Sequence, residues 1–326
     1  MTIAIRLVSV FAALVCGIFA LGTQCAAQGF PSMPIRFVVS YPPGGAPDAV
    51  MRLIGQRLGE SVGWRVVVDN RPGASGFIAA GTVAKAPADG HTLLVADTSL
   101  LAINPSLFPN LPYDPLRDFA PVTHMVSIAL FLSVNAALPV QTVRQLIEYA
   151  KSKPGIPYAS SGNGSAAHIG LELFKLLTGA NMTHIPYKGV AQAVPALISG
   201  DVSVAMVAGP SILPHARSGK ARLLAVATGR RTPSMPELPT ISEAGVPGYE
   251  NRSDLGIVAP AGTPRSAIAE LNREIVKVLA MPDIAQRLLA LGFDPVGSSP
   301  EQYDELTRAE IRKYTTLLKE IGVRID

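Results

Sequence analysis

The chain has 326 residues, enough for two domains or one large one, with 48% hydrophobic and 16% charged residues. That composition excludes a disordered tail and a polyelectrolyte. The formal charge is only +4 and the basic residues are dispersed, with no Lys/Arg run and no basic–aromatic interleaving, so no nucleic-acid partner is expected.

Residues 1–27 carry one charge, Arg6, followed by an apolar run over 7–21 and small residues up to Ala27. A basic start, an apolar core and small residues at the end predict a secretory signal peptide cleaved after Ala27. The run is short for a membrane-spanning helix. Cys16 and Cys25, the chain's 2 cysteines, both fall in this segment. The mature chain therefore has no disulfide, no thiolate metal site and no cysteine nucleophile. It is expected to be a periplasmic protein held by its core.

Strands are predicted over 35–39, 65–68 and 92–96, alternating with helices over 46–59 and 76–86. In the first helix Val50, Leu53, Ile54 and Leu58 share a stripe. A Pro/Asn-rich stretch over 104–121 reads as irregular, and a strand over 129–134 follows. Next come a helix over 142–153, a strand over 157–160 and a helix over 165–178. Strands are expected near 182–186, 202–207 and 223–228, then irregular chain over 230–254 and a returning strand over 255–258. The end reads as helices over 263–279, 283–291 and 300–321. The βαβαβ order predicts an α/β fold with mainly parallel sheet covered on both faces. We read two α/β lobes, residues 28–128 plus 253–326 and residues 129–252, joined by a two-crossing hinge. A cleft between them is the natural ligand site, beyond the carboxyl ends of the strands.

Two places combine a strand end, a small-residue loop and a helix start. One is Ser40-Tyr41-Pro42-Pro43-Gly44-Gly45-Ala46-Pro47-Asp48, the other Ser160-Ser161-Gly162-Asn163-Gly164-Ser165 with His168. Glycines let backbone approach a ligand closely, and the free N–H groups and dipole of a helix start favour an anion. One loop on each side of a cleft makes a clamp for a molecule with carboxylates at its ends. Each residue also has a structural reading: Asp48 pairing with Arg52 at i+4, Ser165 as an N-cap, His168 as a neutral imidazole in a first helical turn. A third loop, Asp69 to Gly76 with Arg71 and Ala74, could add N–H donors or hold an ion pair. Lys188 could neutralise a carboxylate or be a solvated lysine.

Catalytic patterns are poor. There is no His-Glu-x-x-His, Gly-x-Ser-x-Gly, Ser-x-x-Lys or P-loop, and the 5 His are far apart without metal-ligand spacing. No cofactor or metal is expected. A Ser/His/carboxylate arrangement could still assemble in space around Ser161 or Ser165 and His168.

Several motifs in one order resemble the Bug-type, TctC-like extracytoplasmic receptors of tripartite tricarboxylate transporters. They include Tyr41-Pro42-Pro43-Gly44-Gly45 with Asp48, Val67-Val68-Asp69-Asn70-Arg71-Pro72-Gly73-Ala74, and Asp89-Gly90-His91-Thr92-Leu93-Leu94. Further on stand Leu111-Pro112-Tyr113-Asp114-Pro115, Tyr158-Ala159-Ser160, His184-Ile185-Pro186-Tyr187-Lys188-Gly189 and Ala259-Pro260-Ala261-Gly262-Thr263-Pro264. The resemblance implies a type II periplasmic-binding-protein fold, no catalysis, and a small carboxylated solute: a mono-, di- or tricarboxylate, aromatic acids among them. It implies delivery of that solute to membrane transporter subunits; a monomer is expected. It places one ligand carboxylate on the loops from Pro43 to Ala46 and Ser160 to Ser165. The chain departs from the family at Val207-Ala208-Gly209, where many members have an acid or amide, and at Asp254-Leu255-Gly256, where many carry Trp. Loss of the acid argues against an amino-acid ligand, whose ammonium needs a counter-charge. Asp254 either binds a donor group of the ligand or caps the hinge. A sensor-coupled receptor and a periplasmic hydrolase are the competing functions.

Overall fold

The computed structural model describes residues 29–322. Met33–Asp326 form one unit, and Met1–Ser32 form another, of which only 29–32 are described. The expected signal peptide, with Cys16, Cys25 and cleavage after Ala27, lies outside the described residues.

β1 (Ile35–Val39) leads into α1 (Ala46–Val62), where buried Val50, Ile54 and Leu58 recur every fourth residue. β2 (Val66–Asn70), α2 (Phe77–Ala84) and β3 (Thr92–Asp97) follow, and β1 pairs in parallel with both strands. After a short α3 (Asn104–Leu107), β4 (Phe119–Ile128) runs straight into β5 (Leu130–Asn135). Then come α4 (Val143–Ser152), β6 (Ile156–Ser160), α5 (Ala166–Thr178), β7 (Met182–Pro186), α6 (Val190–Ser199), β8 (Val204–Ala208), α7 (Gly209–Arg217) and β9 (Ala221–Val226). β10 (Ser253–Pro260), α8 (Arg265–Leu279), α9 (Pro282–Ala290), β11 (Phe293–Pro295) and α10 (Pro300–Ile321) complete the described chain.

Among the described residues the strands form two sheets, ordered β11-β4-β10-β3-β1-β2 and β7-β6-β8-β5-β9. With the helices between their strands, the two sheets make a two-lobed α/β architecture. Both sheets are mixed rather than mainly parallel. β10 is antiparallel to β3 and β4, and β5 to β8 and β9. The cause is the double crossing: β4 leaves the first sheet at Ile128, and β10 returns beside it, with Ser253 opposite Ile128. One strand going out and its neighbour coming back must run in opposite directions.

Three stretches exceed the periodicity-based expectation. Part of 104–121 is α3 and the start of β4, and α6 and α7 fill connections where no helix was expected. Each of α6 and α7 carries an internal proline, Pro195 and Pro214, a residue that argues against a helix when read alone. α10 joins the two cores. Its Tyr303 packs with Val38, Leu94 and Phe119 of the first sheet. Its Tyr314, Leu317 and Leu318 pack with Tyr158 and Met206 of the second and with Phe174 of α5.

Candidate functional site

The first loop connects β1 to α1. Gly44 has φ 81°, a left-handed conformation that only glycine adopts without strain. Its N–H donates to Asp48 Oδ2 at 2.9 Å, and the Gly45 N–H donates to Pro42 O at 3.2 Å. Asp48 is buried; its carboxylate also accepts from Asn70 Nδ2 at 2.9 Å and from Arg52 Nε at 3.0 Å. Burial pushes this carboxyl up, but the hydrogen bonds from Arg52, the Gly44 amide and Asn70 reverse that and hold it below its ordinary value. Asn70 Nδ2 donates as well to Tyr41 O at 3.0 Å. The Tyr41 hydroxyl donates to buried Asp97, whose other oxygen accepts from the Leu100 amide at 2.9 Å. Burial, then the Asp97 charge, pushes the Tyr41 hydroxyl well above its ordinary value, so it stays a donor. Asp48 and Tyr41 thus brace the loop from behind. Pro43 is exposed, and Ala46 stands half-buried at the first helical position.

The second loop connects β6 to α5. Gly162 and Gly164 have φ 134° and 75°. Ser165 is the N-cap: its Oγ accepts from the His168 amide at 3.3 Å and donates to Gly162 O at 2.8 Å. The Gly164 N–H donates to His168 Nδ1 at 3.1 Å. Buried Ser160 contacts His184 Nε2 at 2.7 Å and accepts from the Gly162 N–H at 3.1 Å. Burial, then the neighbouring His184, lowers the His168 ring to about 4, so it is neutral at pH 7. The two loops share one device. In each, the amide of the glycine preceding the helix is held by a side chain four residues on, Asp48 or His168.

The alternative Ser/His arrangement does not form at Ser165, because its hydroxyl meets the backbone amide of His168 and not the ring. Ser160 does bond a histidine ring but is 1% exposed. By contrast, the side chains of Ser161, Asn163 and Lys188 make no hydrogen bond or ion pair among the described residues, and Asn163 and Lys188 are exposed. The Lys188 segment lies against the second loop, since the Tyr187 N–H donates to Ser160 O at 3.2 Å.

The third loop is strained. Ala74 and Ser75 have φ 46° and 51°, between Gly73 and Gly76 at 115° and 89°. Each such non-glycine residue costs on the order of 1–3 kcal/mol. Buried Asn104 holds the turn by donating to Ser75 O at 3.0 Å. Arg71 is engaged: its Nε lies 2.9 Å from Asp69, which Arg36 also contacts.

Two further residues expected at the ligand are buried. Val207 is 2% exposed and packs with Phe131, Ala205 and Ile212, because its face of β8 is covered; only half-buried Ala208 reaches the strand end. Asp254 is buried at the return crossing. It accepts from Ser127 Oγ at 2.6 Å, lies 3.2 Å from His124 Nε2, and its own N–H donates to Thr98 Oγ at 2.9 Å. It ties β10 to β4 and to Thr98, the residue after β3. Sequence reasoning assigned no site role to Asn70, Asp97, Asn104 or His184, all of which brace these loops from other elements.

Across residues 50–323 the chain matches the family described as "Tripartite tricarboxylate transporter family receptor", TctC. Protein BugT of Bordetella pertussis is 36% identical over 302 residues, 92% of this chain and 93% of BugT. Rpa4515 of R. palustris, solved with adipate, superposes with a TM-score of 0.85 at 38% identity, over 90% of this chain and 99% of that one. MatC from Rhodopseudomonas palustris, solved with bound malate, gives 0.79 at 31% identity, over 89% and 100%.

Proposed function

Since the chain belongs to the family of tripartite tricarboxylate transporter receptors, we propose that it is a periplasmic receptor that captures a small carboxylated solute between its lobes and delivers it to membrane transporter subunits. The lobes are those of residues 28–128 with 253–326 and of residues 129–252, hinged where β4 and β10 pair. The carrying observation is the pair of glycine loops, each ending at a helix N-terminus and each locked by a side chain behind it.

Locking fixes which groups face the ligand. The amides of Gly44, Gly45 and Gly164 are engaged within the loops. A carboxylate therefore falls to the first-turn amides at Ala46 and Ala166, where the helix dipole adds about 0.3–1 kcal/mol per helix end. In the second lobe Ser161, Asn163 and Lys188 supply further donors and a positive charge. Adipate and malate, bound by the related Rpa4515 and MatC, are both dicarboxylates, which suits a clamp with one helix start per lobe. Ligand contacts to both lobes favour the closed state, since only differential contacts shift such an equilibrium.

Melting of the protein from Gln28 onward, against adipate, malate, tricarboxylates and their amides, tests this. A carboxylate at 100 times its dissociation constant is expected to add about 2.7 kcal/mol, and its amide none. No shift with any carboxylate would overturn the reading.

A further inference from the structure

This inference deepens the reading that the loop from Ser160 to Ser165 holds a ligand carboxylate. Behind that loop three rings form one stack. Tyr158 and His184 face each other across the β6–β7 ladder, with centroids 5.0 Å apart and planes 21° apart. His168 also stacks on His184, at 3.9 Å and 12°. Each imidazole touches the loop through one nitrogen, and the two nitrogens differ: Nδ1 of His168 and Nε2 of His184.

The proton inventory follows from counting. Gly164 N–H can only donate, so His168 Nδ1 is unprotonated and its proton sits on Nε2. Gly162 O already receives the Ser165 hydroxyl at 2.8 Å and the Ser165 amide at 3.2 Å, which fills its two lone pairs. The Ser160 proton then goes to the nearer acceptor, His184 Nε2 at 2.7 Å, rather than to Gly162 O at 3.0 Å. A length of 2.7 Å is typical of a hydroxyl donor and short for N–H to oxygen. The Ser160 oxygen keeps a lone pair for the Gly162 amide. Every polar group of the loop backbone that meets the stack thereby has one partner of the right sign.

We infer that His168 and His184 are positioning residues of the binding loop: a stacked pair of neutral imidazoles that acts as two acceptors, His168 Nδ1 for the Gly164 amide and His184 Nε2 for the Ser160 hydroxyl. In this role the rings act through the loop. They set the peptide planes at Gly162 and Gly164, which in turn aim the start of α5 and the side chains of Ser161 and Asn163.

The differing nitrogens give a crossed substitution test. Asn places its oxygen where a histidine has Nδ1, and Gln places its amide where a histidine has Nε2. His168→Asn and His184→Gln should therefore preserve the loop, whereas His168→Gln and His184→Asn should not. In the ligand-free protein, amide hydrogen exchange at Gly164 should stay within about threefold of wild type in His168→Asn and accelerate at least tenfold in His168→Gln. Exchange at Gly162 should show the opposite preference at position 184. Adipate affinity, where adipate binds, should follow the same crossed order, with at least a tenfold loss in the two disfavoured variants. Long-range nitrogen–proton spectra of the wild type at pH 7 should give His168 with its proton on Nε2 and His184 with its proton on Nδ1. That spectrum keeps the test decisive where a variant does not fold. Equal behaviour of Asn and Gln at each position, or the opposite tautomers, would overturn the inference. A crossed pattern in exchange without adipate, malate or tricarboxylate binding would leave the positioning role standing and count against the proposed ligand class.

Discussion

Replacing Asp48 with Ala is expected to lower stability by about 3 kcal/mol and to loosen the first loop. The carboxylate is 3% exposed and holds three partners: the Gly44 amide, Asn70 Nδ2 and Arg52 Nε. Arg52 is half-exposed and returns to water at little cost. The Gly44 amide and Asn70 lose a charged acceptor, and hydrogen bonds to charged groups contribute about 1.5–3 kcal/mol each. Asp48→Asn keeps one acceptor and should lose about half as much. The shift in urea midpoint at constant slope measures both. An Asp48→Ala protein within 0.5 kcal/mol of wild type, an allowance of ordinary surface size, would show that the brace does not hold the loop. Substituting Gly44 itself is the poorer test, because its φ of 81° strains any side chain.

How the sequence conveys this fold depends on where its prolines sit. The first βαβαβ run was legible because Val50, Leu53, Ile54 and Leu58 keep helical spacing between two Val-rich strands. β4 was not, because Pro121 interrupts it. In the structure Pro121 faces Val258 at a register shift of the β10–β4 ladder, where a missing N–H removes no regular bond. The binding loops were legible as loops: glycine pairs between a strand and a helix leave few alternatives. Which amides within them remain free was not legible. That depends on whether Asp48 and His168 turn back toward Gly44 and Gly164, a choice of rotamer. His184 lies 24 residues from Ser160 and reaches it only because β6 and β7 pair in parallel with Tyr158 opposite His184. The burial of Val207 was hidden for a related reason: alternate side chains along a strand take opposite faces, and the face of β8 that Val207 takes is covered by Phe131 and Ile212.

Acidification from pH 7 to 4 is expected to cost the wild type about 3 kcal/mol more than it costs His168→Asn. Burial, then His184, lowers the His168 ring from its ordinary 6.5 to about 4 in the folded protein. An unfolded imidazole takes up its proton near 6.5, so between these values the unfolded state binds more protons. The stabilisation is complete above pH 6.5 and is lost as the pH falls toward 4, at about 1.36 kcal/mol per unit. The groups facing the ring do not reverse this sign. Glu172, which favours the charged imidazole, is ion-paired to Lys175 at 2.8 Å and accepts from the Tyr158 hydroxyl. His184, itself lowered by burial, opposes a second positive charge 3.9 Å away. Other carboxyls add their own pH dependence: burial raises Glu310 and Asp294, which favours the acid side, and the braced Asp48 does the reverse. These terms are common to wild type and variant, so the difference between the two curves isolates His168. Protonation also puts a hydrogen on Nδ1, donor against donor with the Gly164 amide, so the loop should open as stability falls. Gly164 exchange should therefore accelerate over the same interval, and parallel stability curves for the two proteins from pH 7 to 4 would exclude a buried neutral ring at this position.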